Sequence, residues 1–174
     1  MPDLLTSPFI IATALRRMVQ RAIGAALLAL GLAAQAGAQA EDIVTRHFAA
    51  TAFADVREAL TEAIAEEGIA QPVVSHFADM LDRTAADLGH PRGLYTQAEI
   101  LTFCSAGVAA RLAVEAREHI ALCPLSIAVY APADGRPGAV IAYRPPRLDS
   151  AGGEAARALL RRIVARSAAL LGLE

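Results

Sequence analysis

From residue 43 onward the apolar positions switch repeatedly between a period of two and a period of about 3.6. Ile43 to Ala49 sets Ile43, Thr45 and His47 against Val44, Arg46 and Phe48, which predicts a strand. Phe53, Val56, Leu60 and Ile64 then recur at helical spacing behind Thr51, a suitable cap, until Gly68 stops the helix. Ile69 to Phe77, with Val73 and Val74 at its centre, predicts a second strand. A helix from Ala78 to Leu88 follows, closed by the cluster Gly89-His90-Pro91-Arg92-Gly93. Ala98 to Phe103 reads as a buried strand, and Ser105 opens a third helix that carries Val108, Leu112 and Ala116 as far as Glu118. Leu125 to Ala131 and Ala139 to Tyr143 flank the turn-rich segment PADGRPG and predict a hairpin with a longer loop, ended by Pro145-Pro146. Gly153 to Leu171 is a final amphipathic helix with Leu159, Leu160, Ile163, Val164, Leu170 and Leu171 on its apolar face. The order β-α-β-α-β-α-β-β-α is that of a single α+β domain, with helices packed on a mixed sheet.

The first forty residues follow different rules. Between Arg21 and Glu41 no residue is charged, and Ala22 to Ala34 is an uninterrupted apolar run. The run has the length of a signal-peptide core and falls short of the roughly 20 residues that span a bilayer. Arg16, Arg17 and Arg21 form its basic flank, and Ala38 and Ala40 satisfy the A-x-A rule for cleavage after Ala40. Residues 1–40 are therefore expected to be a signal peptide, and residues 41–174 the mature domain, delivered to the periplasm. Met18 begins a more regular signal than Met1, because the fifteen residues before Arg16 are unusually apolar for a leader region. An uncleaved anchor is the alternative for this segment. A twin-arginine signal is disfavoured, because Met-Val-Gln follows Arg16-Arg17.

The mature domain is long enough to bury a core without metal or disulfide staples. From Glu41 it carries 13 arginines against 17 acidic residues, a net charge of −4, with no basic stripe. Nucleic acid is thus not an expected partner, nor is a membrane once the signal is removed. The absence of Lys, Asn and Trp, with abundant Ala, Arg and Gly, fits the coding bias of a GC-rich bacterial genome.

Two cysteines, Cys104 and Cys123, enter an oxidising compartment if the domain is exported. Cys104 ends a predicted strand just before a helix whose first amides favour a thiolate. Pro124 holds Cys123 extended. Eighteen residues separate the two, enough for a helix to cross over and bring the next strand back beside the first. A disulfide is geometrically reasonable; two inert buried thiols are the alternative. A redox-active pair is a third reading, against which the spacing counts, being far longer than C-x-x-C. With His119 the cysteines supply three of the four ligands that a structural zinc site requires.

The segments EILTFCSAGVAARL and HIALCPLSIAVYAPADGRPGAVIAYRPP resemble the Cys-containing branch of the domain of unknown function 302 family. The landmarks are Phe103-Cys104-Ser105, Cys123-Pro124 and Tyr143-Arg144, within a resemblance running from Phe53 to Pro146. It implies a compact α+β domain that self-associates, and it adds haem as an expected ligand. Read from the residues, His76 lies in VVSHFADML at the end of an apolar strand, with Phe77 beside it and Met80 four residues on. That is a setting suited to an axial haem ligand, with His119 as the alternative. Arg144 is placed to hold a propionate, a phosphate or a partner carboxylate. Without C-x-x-C-H, covalent haem attachment is excluded.

Other polar residues carry less. Ser105 and Ser126 lack a nucleophile elbow. Glu66-Glu67, the pair Glu115 and Glu118, and Arg161-Arg162 read as solvated helix faces. His47 and His90 stand in no constellation. The resulting expectation is a non-enzymatic, exported domain that binds haem or another small apolar ligand. His76 is its axial ligand, with Met80 or nothing opposite, and Phe77 and Arg144 complete the site. It is expected to form a homodimer or larger assembly. The alternatives are a cofactor-free interaction module stapled by Cys104 and Cys123, and a thiol-based redox protein.

Overall fold

A computed structural model describes residues 43–173; the predicted signal peptide and its cleavage point lie outside the described residues. The chain enters through β1 (Val44–Phe48), crosses in α1 (Phe53–Glu66) and returns as β2 (Val73–His76). Helix α2 (Phe77–Leu88), β3 (Tyr95–Phe103) and α3 (Ala106–Glu115) follow. A 3-10 helix (Arg117–Leu122) leads into the hairpin of β4 (Leu125–Pro132) and β5 (Ala139–Tyr143), and α4 (Ala151–Leu170) completes the domain. No helix among the described residues is long and apolar enough to cross a membrane.

The element order is the expected one, but the sheet is antiparallel throughout rather than mixed. Its strands run β1-β5-β4-β3-β2, with every neighbouring pair antiparallel. The first two strands occupy opposite edges and never pair, so the α1 crossover creates no parallel ladder. At 1.5 Å per residue the 14 residues of α1 reach about 21 Å, close to the width of four strand spacings of roughly 4.8 Å.

Register divides the sheet into two faces. Phe48, Leu101, Phe103, Leu125, Ile127, Val129, Ile141 and Tyr143 share one face and are buried. They form a single core with Val56, Leu60 and Ile64 of α1, Leu112 of α3, and Leu160 and Ile163 of α4. The predicted apolar stripes thus point where their spacing said they would. Outside that core α1 and α4 are clamped by charge: Arg162 donates to both carboxylate oxygens of Glu67 at 2.8 Å, and Arg166 pairs likewise with Glu66. These acids and Arg162, expected on solvated helix faces, do meet solvent and also link the two helices, although such exposed pairs contribute little each.

Local signals misjudged several boundaries. Ala52, not Thr51, is the N-cap of α1, and it forms no side-chain cap. The second strand is only four residues long and gives way to helix at Phe77. The third helix breaks at Ala116, which is extended at φ −159°, before the 3-10 turn. The last helix starts at Ala151, two residues early, because Ser150 caps it by accepting from the Gly153 amide at 3.1 Å.

A second cap on α4 comes from the end of α3. The Glu115 carboxylate accepts from Ser150 Oγ and from the Gly152 amide, each at 2.6 Å. The Ser150 hydroxyl first, and then the Gly152 amide, hold this carboxyl below its ordinary value of 4.5. A depressed native value stabilises the fold while Glu115 is ionised, and that contribution disappears as pH falls through it. Glu115→Gln is therefore expected to weaken the fold at neutral pH and to lose less stability than wild type from about pH 5 downward. Urea midpoints measured against pH check this; parallel acid limbs for the two proteins would contradict it.

Candidate functional site

The two cysteines meet because of strand register. Phe103 and Leu125 are the last paired residues of β3 and β4, so Cys104 and Pro124 lie one step beyond the ladder and Cys123 just past them. Cys104 is exposed ahead of Ser105, the N-cap of α3, and Cys123 is half-buried behind the 3-10 turn. The Cys123-Pro124 peptide is cis. The thiols are free, and they lie close enough for Cys104 to act on the ionisation of Cys123. Burial, and after it the hydrogen bond and charge of Cys104, push the Cys123 thiol up to about 11. Cys123 is therefore protonated at neutral pH, while its partner is the one that solvent and small reagents reach.

A hollow of about 380 Å³ opens beside this pair. Leu122 and Pro124, the chain neighbours of Cys123, form part of its wall, and Ser126, Arg144 and Arg147 supply polar groups. Arg144 is positioned by β5, whose last residue, Tyr143, is its neighbour in the core, and Pro145 and Pro146 continue the wall.

The residues expected to hold haem do not converge on one hollow. The His76 imidazole has 65% of its surface exposed, with Nδ1 3.3 Å from Oε1 of Glu99, a carboxylate that also accepts from Arg57 Nε at 3.1 Å. The hollow beside it is only about 170 Å³ and is shared with Asp79, Gln97 and Glu99. Met80 is exposed and does not line it. Phe77 instead lines an apolar hollow of about 310 Å³ on the open sheet face, together with Tyr95, Ala98, Ala128 and Tyr130. Its ring meets Tyr95 at 6.2 Å between centroids, and Tyr95 meets Tyr130 at 5.3 Å. Arg144 lies with the cysteines. A solvated imidazole facing a carboxylate beside a small polar hollow does not fit an axial haem ligand, and no cofactor step is derived from it. Zinc fares no better: among the described residues no group of three His, Cys, Asp or Glu side chains converges to hold a metal. His119 Nδ1 is buried without a hydrogen bond, 3.7 Å from Glu115 Oε2.

The family model described as "Domain of unknown function DUF302" matches residues 44–167, most of the chain and nearly all of the described fold. The chain belongs to the DUF302 family. The crystal structure of an uncharacterised conserved DUF302 protein from Bacillus stearothermophilus matches this DUF302 domain with a TM-score of 0.56 at 22% identity. That match covers 73% of this chain and 96% of the other. At that identity the likeness is one of fold. Comparison with curated proteins finds no match.

Within the DUF302 domain, sequence reasoning located the cysteines and Arg144 but not their common site. The two prolines read only as the end of a strand, and Ser126 only as a failed nucleophile. Its available signal was the Phe103-Leu125 register, which places both strand ends and the end of the adjacent β5 on one rim. The aromatic group on the open face was likewise missed. Tyr130 and Ala98 are cross-strand partners, a relation that becomes visible only once β3 and β4 are paired.

Proposed function

We propose that this domain is exported and works through a reversible disulfide between Cys104 and Cys123. The observation that carries the reading is the strand register, which sets Cys104 opposite Pro124, the neighbour of Cys123, at the rim where β3 and β4 end. The asymmetry of the two thiols supports it: an exposed thiol beside a half-buried one is the arrangement of an attacking and a resolving cysteine. An oxidising compartment supplies the conditions under which the pair cycles.

Intact mass of the native protein equilibrated in glutathione redox buffers tests the reading. The expected result is a monomer that loses two hydrogens as the buffer becomes oxidising and regains them on addition of excess thiol. Two thiols that stay alkylatable in oxidising buffer would overturn it.

A further inference from the structure

The chemistry beside Cys123 assigns a class of reaction partner to this pair, an inference that rests on the proposed disulfide cycle. Arg144 is exposed, and no carboxylate of the domain pairs with it among the described residues. The arginines of α4 behave differently: Arg157, Arg161, Arg162 and Arg166 are all engaged by glutamates. Arg46, Arg83, Arg92, Arg111 and Arg117, like Arg144, form no ion pair among the described residues; what sets Arg144 apart is its place on the wall of a hollow beside the cysteines. Ser126 adds a hydroxyl donor; Arg147, also on the wall, is itself engaged and is not counted toward the ligand. The hollow's volume of about 380 Å³ lies within the range of small-molecule sites and admits no folded partner. Its remaining wall is proline and leucine, which gives apolar contact and few competing donors.

We propose that this hollow seats the carboxylate of a small acidic disulfide against Arg144 and presents the ligand's S–S bond to Cys104. The Cys104 thiolate attacks one sulfur of the disulfide; the S–S bond breaks, and the departing thiolate leaves with the electron pair and takes a proton from water. Cys104 now carries a mixed disulfide. The Cys123 thiol gives its proton to solvent and attacks Cys104 Sγ, expelling the second small thiolate. Two protein thiols are oxidised to one disulfide and one small disulfide is reduced to two thiols; the reverse sequence reduces the domain.

The test uses the full-length protein carrying Cys123→Ser, which stops the reaction at the mixed disulfide on Cys104. Oxidised glutathione is the acidic probe and bis(2-hydroxyethyl) disulfide the neutral one, with adduct formation followed by intact mass after acid quench. Adding Arg144→Ala is expected to slow the glutathione reaction about fivefold at low ionic strength, an effect that shrinks with added salt, while leaving the neutral rate unchanged. Ser126→Ala is expected to act in the same direction, more weakly. The neutral rate also reports whether each variant still folds and presents Cys104. A glutathione-to-neutral ratio unmoved by Arg144→Ala would overturn the subsite and leave the disulfide cycle standing. Failure of both probes to modify Cys104, with wild type remaining reduced in oxidising buffer, would overturn both.

Discussion

With Cys104 and Cys123 joined, the domain is expected to be about 3 kcal/mol more stable than its reduced form. The link closes a loop of eighteen intervening residues, for which the loss of unfolded-state entropy corresponds to about 3 kcal/mol. For a domain of this size that corresponds to a rise of about 10 °C in Tm. The loop holds α3 and the 3-10 turn, so the link ties that segment to the rim of the sheet. Urea unfolding with and without reductant measures the effect. The double variant Cys104→Ser/Cys123→Ser should lie near the reduced protein and ignore reductant. Oxidised and reduced forms that unfold at the same midpoint would show that no bridge constrains this loop.

Gly138→Ala is expected to cost about 3 kcal/mol or more, through backbone collision added to left-handed strain. Gly138 has φ +92°, and a Cβ there would lie 2.1 Å from the Phe48 carbonyl oxygen and 3.0 Å from the Ala50 amide nitrogen. Both obstacles are backbone and neither swings away. Gly138 immediately precedes β5 at the point where Ala139 pairs with Phe48, and among the described residues β5 is the only strand that holds β1 in the sheet. Gly135, in the same loop, is the internal control. It also has positive φ, +82°, but a Cβ there meets nothing within 4 Å. Gly135→Ala should therefore cost only the dihedral strain, about 1–2 kcal/mol. Equal midpoints for the two variants in urea would refute the close approach of β1 to the hairpin loop.

Periodicity along the chain made the elements and their buried faces legible. Val56, Leu60 and Ile64, and Leu160 and Ile163, are buried as their spacing predicts, because a helix that must cover a sheet can bury only one stripe. Sheet order was not legible, since the pairing of β1 with β5 joins segments far apart in sequence. The apolar run around His76 misled for a related reason. Val73 is 71% exposed on an edge strand, so an apolar pattern that resembles a slot covers only the margin of the sheet. The proximity of the cysteines was half legible. The spacing allowed a crossover, and the register of β3 and β4 brought the two strand ends together. The hollow beside it depended on where β5 ends, which no local pattern around Arg144 reports.

The most direct test of the thiol reading is a peptide map of native protein oxidised at low concentration and then alkylated in denaturant. The account predicts one fragment linking Cys104 to Cys123 within a single chain, lost on reduction. Two separately alkylated cysteine peptides, or a linkage only between chains, would contradict it.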